Sequence, residues 1–272
     1  MSKRNTQSAK TAARERLRQE RERQAKRDKA RRQLIVAGSV VAVLAAAGGI
    51  GYAVVQMNKP SYWDGLKDAA SVVAPANTTG TKGTTVVLGK DTAKKTLKVY
   101  EDPRCPVCAQ FEQTVGSTVK KDLDDGKFKI QYVGATFIDN HDNGEGSKNA
   151  LSALGAALNV SPEAFLEYKT ALYSAKWHPD EQADKFKDDS YLVKVADTVP
   201  ALKGNAKFQD AVRKGTYDAW AMAMSKTFDD NKDGVSGTPS FVMDGKKLTT
   251  SDPNRPWTVE EFNKVVDAAL KA

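Results

Sequence analysis

A long uncharged stretch near the start of the chain limits the fold more than any other feature of the sequence. Residues 34–55 read LIVAGSVVAVLAAAGGIGYAVV, 22 residues without a charge. A helix of that length, rising about 1.5 Å per residue, crosses a hydrocarbon core of about 30 Å. The sequence therefore predicts a transmembrane helix over residues 34–55. A cleaved signal peptide is the alternative, but the apolar run of such a peptide usually has about 7 to 15 residues.

The positive charge of the chain is concentrated in front of this stretch. Positions 1–33 hold 13 Lys or Arg and 4 Asp or Glu, whereas the other 239 residues hold 29 and 30. Basic flanks remain in the cytoplasm, so residues 1–33 are predicted to form a cytoplasmic tail, and everything after Val55 to lie outside. We expect this tail to be a solvated helix near anionic lipid headgroups. It has no aromatic residue for base stacking, which argues against binding to nucleic acid.

Residues 56–83 have the composition of a linker between the membrane helix and a folded domain. They contain Pro60, Pro75 and the run ANTTGTKGTT, which is typical of loops. Tyr62 and Trp63 follow the apolar stretch closely and suit an aromatic anchor at the outer membrane interface. The domain itself is expected to cover residues 84–272.

The pattern of this domain predicts an α/β fold. TTVVLG, TLKVYED and KFKIQYVGATF (84–89, 96–102, 127–137) have the β-branched and aromatic residues of strands, and apolar residues at fourfold spacing predict a helix between the second and third. A strand, a helix and a strand imply a right-handed parallel crossover. The pattern is helical over about 140–228, and residues 240–250 again have the composition of strands. A capping box at Thr258 predicts the start of a last helix.

The two cysteines of the chain form the motif Cys105-Pro106-Val107-Cys108, where a predicted strand ends and a helix begins. Two cysteines are too few for a disulfide framework, and a disulfide across so short a loop adds little stability. At a helix N-terminus, unpaired N–H groups and the macrodipole stabilise the Cys105 thiolate. Pro106 fits the first helical position, and Cys108 lies one turn further on, where it can resolve a mixed disulfide. The motif predicts redox chemistry.

The strand LKVYED, the motif CPVC, the long helical insertion and Gly237-Thr238-Pro239 before a strand together resemble the DsbA-like branch of the thioredoxin superfamily. The resemblance covers about residues 84–272 and implies a thioredoxin-like fold with an inserted helical subdomain over about 140–228. It also implies that Pro239 is in cis and faces the cysteines. Thr238 would then offer backbone groups to an extended substrate segment as an added strand.

This resemblance implies a thiol-disulfide oxidoreductase that acts on unfolded or reduced exported proteins, with the Cys105–Cys108 disulfide as its redox group and no other cofactor. We expect an oxidase, recycled by a membrane partner of the DsbB or VKOR type. A disulfide reductase or isomerase, fed by a transmembrane electron supplier, is the alternative direction. DsbA has a histidine where this chain has Val107, so a milder oxidant is expected here.

One position departs from the family pattern. Relatives often have an acidic residue six positions before the first cysteine, and here that position is Val99. Glu101 and Asp102 are the candidates to move the proton of Cys108 instead. Their place at the end of a strand also suits solvated or capping groups.

Two metal sites compete with the redox interpretation. A copper chaperone of thioredoxin fold would use Cys105 and Cys108 with the two histidines, His141 and His178. Each histidine also suits an ordinary loop or surface position. Asp229, Asn231 and Asp233 match the opening of a calcium loop, but the twelfth position is Ser240 where the motif requires Glu, so a turn after a helix explains the run equally well.

Overall fold

A computed structural model describes residues 3–57, 61–252 and 255–272 of the chain. The chain forms two compact units, Met1–Pro60 and Ser61–Ala272.

The first unit contains helix α1 (Lys3–Met57), which includes both the basic tail and the apolar stretch. Within the described residues it is the one helix that is long and apolar enough to cross a membrane. Its large apolar side chains are exposed, for example Val43 and Leu44. A helix that exposes such side chains over 20 or so residues suits lipid better than water, in agreement with the predicted membrane helix.

The second unit is built on a five-stranded mixed sheet in the order β1-β3-β2-β4-β5. Its strands are β1 (Val86–Leu88), β2 (Thr96–Glu101), β3 (Lys129–Gly134), β4 (Ser240–Met243) and β5 (Lys246–Leu248). The central pair, β2 and β3, is parallel, and the other neighbours are antiparallel. Helix α2 (Pro106–Asp124) connects β2 to β3, so the expected parallel crossover is present.

Two layers of helix cover the sheet. Helix α2 packs with the last helix, α9 (Val259–Lys271), on one face, where Leu97 and Val99 of β2 meet Phe111 and Phe262. Between β3 and β4 the chain forms the remaining helices of this unit: α3 (Ile138–Asp142), α4 (Gly146–Val160), α5 (Pro162–Tyr173), α6 (Asp189–Ala196), α7 (Ala206–Arg213) and α8 (Asp218–Asp229). They form the second and larger core, which Tyr100 of β2 joins.

Helix α4 is the centre of this helical insertion. Every residue from Gly146 to Leu158 is buried, because α5, α7 and α8 surround the helix. Its small residues permit close packing: a Cβ added to Gly155 would lie 2.7 Å from the ring of Trp220. The helix ends at Val160. The next residue, Ser161, caps α5 by accepting a hydrogen bond from Ala164 N–H, with Pro162 at the first helical position.

The predicted linker over residues 56–83 needs correction, because its described part from Ser61 onward packs on the domain. Trp63 is buried, and the indole N–H of Trp220 donates to the Gly83 carbonyl at 2.8 Å. Asn77 donates to the Leu158 carbonyl at 2.7 Å. A buried indole N–H requires an acceptor, and the segment supplies it. Trp63 therefore belongs to the core of the domain and not to a membrane interface.

Candidate active site

The CPVC motif lies where β2 leads into α2, in the middle of the sheet. Cys105 is the N-cap of α2, with extended backbone angles (φ −67°, ψ 116°), and Pro106 takes the first helical position. The backbone N–H of Cys108 donates to Cys105 Sγ at 3.4 Å. A thiolate at this position can accept hydrogen bonds from the unpaired N–H groups of the first helical turn.

The loop before β4 supplies the other side of the site. Strand β4 runs antiparallel to β2 and brings Thr238 to the cysteines. Cys105 Sγ donates to the Thr238 carbonyl at 3.4 Å, and the Thr238–Pro239 peptide bond is cis. The hydroxyl of Thr238 is buried and has no hydrogen-bond partner within the described residues. The structure thus brings together Cys105, Cys108, Thr238 and Pro239, residues the sequence separates by up to 134 positions.

The two thiols differ in their electrostatic environment. The pKa of Cys105 is lowered to about 6, chiefly by the hydrogen bond with the Cys108 thiol. Burial opposes this shift, and the N–H groups of Cys108 and Val107 add to it. Burial raises the pKa of Cys108 well above its usual value, and the sulfur of Cys105 and the charge of Glu101 raise it further. Cys108 is completely inaccessible, whereas Cys105 is 5% exposed. This difference suits Cys105 to the role of nucleophile and Cys108 to that of its buried partner.

Glu101, the last residue of β2, is fully buried, so the expectation of a solvated group at this position is wrong. Its Oε2 lies 3.2 Å from Lys169 Nζ of α5, and the same ammonium lies 2.6 Å from Oε2 of Glu112 in α2. Burial raises the pKa of Glu101 to about 7, with Lys169 opposing and Glu112 assisting. Glu112 keeps a lowered pKa because Lys169 and Thr170 outweigh its burial. Of the two carboxyl groups, Glu101 can change protonation near neutral pH.

Asp102 is also buried and functions as a cap, as its position suggested, but it is not solvated. It accepts hydrogen bonds from Ser147 Oγ at 2.6 Å, Arg104 N at 3.0 Å and Ile138 N at 3.2 Å. Burial raises its pKa to about 7 although these donors oppose the shift. Its contacts fix the turn before Cys105 and the start of α3.

Three residues that were not predicted for the redox site hold the backbone that precedes Cys105. Tyr173 Oη donates to the Asp102 carbonyl at 3.0 Å, and His178 Nε2 donates to the Pro103 carbonyl at 3.2 Å. Burial lowers the pKa of His178, so the ring is neutral near pH 7. Tyr173 and His178 are about 70 residues from the motif in sequence, and no local signal marks them.

The third residue is Arg104, which precedes Cys105 and is 1% exposed. Its guanidinium forms ion pairs with three carboxylates and also donates to a carbonyl: Asp139 at 2.9 Å, Asp142 at 2.5 Å, Asp184 at 3.3 Å and the Glu181 carbonyl. These partners raise its pKa against the effect of burial. In the sequence, the only sign of this role was the position of Arg104 next to the CPVC motif. Its partners come from distant segments and depend on the tertiary fold.

Several residues of the two suggested metal sites are used in other contacts. Asp233 accepts hydrogen bonds from Tyr100 Oη at 2.5 Å and from Lys98 Nζ at 2.8 Å, and the side chain of Asn231 closes the turn onto Asp233 and Val235. His178 bonds to Pro103. Across residues 3–57, 61–252 and 255–272, no three His, Cys, Asp or Glu side chains are grouped so that they could hold a metal ion.

Comparison with known proteins agrees with this geometry. Residues 81–268 match the family model Thioredoxin_4, described as thioredoxin. The chain is 26% identical over 179 residues to the serine/threonine-protein kinase PknE of Mycobacterium tuberculosis, covering 62% of this chain but only 30% of the kinase. It is 26% identical over 164 residues to disulfide bond formation protein D of Bacillus subtilis, covering 60% and 68% of the two chains.

Among solved structures, oxidised DsbA of Mycobacterium tuberculosis is similar with a TM-score of 0.54 and 24% identity, covering 69% of this chain and 98% of that one. The predicted thioredoxin-like fold with its helical insertion is thereby confirmed. The fold, the paired cysteines at the start of α2 and the matched family model lead to one conclusion. The chain belongs to the thioredoxin family, whose model matches residues 81–268.

Proposed function

We propose that this chain is a membrane-anchored oxidase that transfers the Cys105–Cys108 disulfide to exported proteins outside the cytoplasm. The asymmetry of the two thiols carries the proposal: Cys105 has a pKa lowered to about 6, whereas the pKa of the buried Cys108 is raised well above its usual value. A stabilised Cys105 thiolate favours the reduced form of the pair, and that makes the disulfide form an oxidant.

The reaction balances over two exchanges. A substrate thiolate attacks Sγ of Cys105 in the disulfide form, the bond between Cys105 and Cys108 breaks, and Cys108 leaves as a thiolate. A second substrate thiolate then attacks the substrate sulfur of the mixed disulfide and releases Cys105 as a thiolate. Two electrons pass from the substrate dithiol to the cysteine pair. The substrate gains one disulfide.

Glu101 is the group best placed to move the proton of Cys108. The departing Cys108 thiolate is buried and must take up a proton, and Glu101 is a buried acid with a pKa raised to about 7 whose charge acts on Cys108. A cavity of about 40 Å³ lined by Glu101, Tyr132 and Lys169 has room for a water molecule beside the carboxyl group, which can exchange its proton there. Lys169 holds the carboxylate in place after the proton has left.

Substrate binding uses the loop at Thr238. An extended segment of an unfolded chain adds as a strand beside this loop, which brings a substrate cysteine to Cys105. The Cys105–Cys108 pair is the only redox group that this chemistry requires. Because each cycle leaves the pair reduced, a membrane partner of the DsbB or VKOR type reoxidises it.

Topology follows from α1. Its basic segment suits the cytoplasmic side, and its apolar segment, which is long enough to span a membrane, suits an anchor. The catalytic unit then lies outside, where reduced exported proteins emerge.

The test is single-turnover oxidation of a reduced dithiol peptide by the oxidised protein. We expect one peptide disulfide for each protein reduced, measured by alkylation and mass spectrometry. Cys108→Ser should accumulate a mixed disulfide through Cys105, and Cys105→Ser should accumulate none. An oxidised protein that leaves the peptide reduced, while the reduced protein efficiently reduces peptide disulfides, would assign the reductase or isomerase direction instead.

A further inference from the structure

A surface cavity of about 460 Å³ lies beside the CPVC turn, on the side of the helical insertion. From α2 it is lined by Val107, Gln110 and Gln113, and from the loop after α5 by His178, Asp180 and Glu181. Val107 is 49% exposed although it is apolar. The volume lies within the range of about 300 to 1,000 Å³ that small ligand sites occupy.

The wall of the cavity is fixed to the residues that precede the nucleophile. His178 donates to the Pro103 carbonyl, and Arg104 donates to the Glu181 carbonyl, so the two residues before Cys105 hold both ends of the segment that carries Asp180. His178 N–H also bonds to the Ser174 carbonyl at 2.8 Å. The cavity is therefore formed before a substrate arrives, and its position relative to Cys105 is set.

The charge of the lining is negative. Asp180 and Glu181 are exposed, and neither carboxylate is paired within the described part of the chain. The cavity lining includes no Lys or Arg among the described residues. Behind the wall, Arg104 is surrounded by Asp139, Asp142 and Asp184, which leaves no positive excess there.

We propose that this cavity is a substrate subsite that receives a lysine or arginine side chain close to the reactive cysteine of an exported protein. The proposal rests on the proposed thiol-disulfide exchange and adds a preference for substrate sequence. A substrate strand advances about 3.3 Å per residue, so a side chain one to three positions from its cysteine reaches past Val107 into the cavity. The aliphatic stem of the cation packs on Val107, and its charged end meets Asp180 and Glu181.

The test uses capped peptides with a single cysteine and with Lys, Gln or Glu two positions before or after it. For each peptide, the rate of reduction of the oxidised protein is divided by the rate at which the same peptide reduces a small uncharged disulfide. This ratio removes the effect of the neighbouring charge on the reactivity of the peptide's own thiol. We expect the Lys peptide of one series to react about three- to tenfold faster than its Gln counterpart at low salt, the effect of one or two exposed ion pairs. The preference should weaken in high salt.

Three variants test whether Asp180 and Glu181 cause this preference for the Lys peptide. Asp180→Asn/Glu181→Gln should bring the Lys-to-Gln ratio close to one, and Asp180→Lys/Glu181→Lys should favour the Glu peptide. Glu163→Gln/Glu167→Gln, which makes the same change in charge on the exposed face of α5, should keep the ratio of the parent. The rate with 2-mercaptoethanol, which is too small to reach the cavity, should not differ between the parent and Asp180→Asn/Glu181→Gln.

A ratio close to one in the parent for both series would overturn the subsite while leaving the exchange intact, as would an unchanged ratio in Asp180→Asn/Glu181→Gln. Failure of every thiol, including 2-mercaptoethanol, to reduce the disulfide would overturn the proposed function and the subsite with it.

Discussion

The fully buried Glu101 has its Oε2 3.2 Å from Lys169 Nζ, and the charge of this carboxyl group acts on the buried thiol of Cys108. Strand β2 contributes the carboxyl group of Glu101, helix α5 contributes the ammonium group of Lys169, and helix α2 contributes the thiol of Cys108. The proposed proton-transfer group is therefore Glu101, although relatives often have it six residues before the first cysteine, where this chain has Val99.

Glu101→Gln should slow the exchange steps that involve Cys108. With the pKa of Glu101 at about 7, the acid that protonates departing Cys108 is lost as the pH rises through 7, so we expect the rate of substrate oxidation by the parent, divided by the concentration of substrate thiolate, to fall there. General acid-base catalysis contributes about 100-fold or more, and the variant should lose about that factor at pH 6 together with the pH inflection. Stopped-flow or quenched single-turnover kinetics from pH 5 to 9 measure both.

Glu112→Gln is the matched control, since it removes a carboxylate from the same ammonium but leaves Glu101 with Lys169. It should keep an inflection, displaced from that of the parent. An unchanged inflection in Glu101→Gln would rule out Glu101 as the proton carrier.

The same carboxyl group should make stability depend on pH. Because the pKa of Glu101 rises from an ordinary 4.5 to about 7 on folding, the folded state retains a proton that the unfolded chain releases between these values. The free energy of unfolding should therefore fall as the pH rises from about 4.5 to about 7. Urea titrations of the reduced protein should show this decline to be shallower for Glu101→Gln than for the parent; equal slopes would contradict the raised pKa.

Arg104→Met should be strongly destabilising. The substitution leaves Asp139 buried and deprives Asp142 and Asp184 of their shared cation, and removal of one partner from a buried ion pair typically costs about 3 to 5 kcal/mol. The same change at exposed Arg213, which bonds to Gln209 in its own helix, should stay within about 0.5 kcal/mol. Chemical denaturation compares the two; similar losses would contradict a structural role for the Arg104 cluster.

Val107→His should make the pair more oxidising. Val107 supplies only its backbone N–H to Cys105, whereas a histidine adds a cationic donor worth about 1.5 to 3 kcal/mol. At about 30 mV per 1.4 kcal/mol, the reduction potential should rise by about 30 to 60 mV. Equilibration with glutathione buffers gives the potential, and ultraviolet absorbance of the thiolate gives the pKa of Cys105. Val107→Leu should leave both values near those of the parent. A reduction potential of Val107→His no higher than that of the parent would show that this position does not set the potential of the cysteine pair.

Protease treatment of wall-stripped cells should degrade the catalytic unit and leave a fragment that contains α1. The bilayer would protect the apolar segment of α1 from the protease, and the basic tail would remain in the cytoplasm. Immunoblots against tags at either end distinguish the outcomes. A soluble, shortened protein as the main species would identify the apolar segment as a signal peptide.

Sequence alone was sufficient for features that depend on neighbouring residues. The length of the uncharged run marked the apolar helix, and the position of CPVC between a strand and a helix placed Cys105 at a helix N-terminus. Gly237-Thr238-Pro239 identified the loop opposite the cysteines through its resemblance to a known family. Each of these signals lies within a few residues, where spacing and backbone geometry decide the outcome.

Tertiary structure decided what depends on packing between distant segments. Trp63 and Gly83, in a segment with the composition of a linker, are part of the domain: Trp63 is buried, and the Gly83 carbonyl accepts the hydrogen bond of the buried Trp220 indole. Glu101 could be read as solvated until α5 brought Lys169 over it. Burial and charge act through space, and the sequence order does not record which side chains meet in the fold, so the protonation chemistry of this site belongs to the tertiary structure.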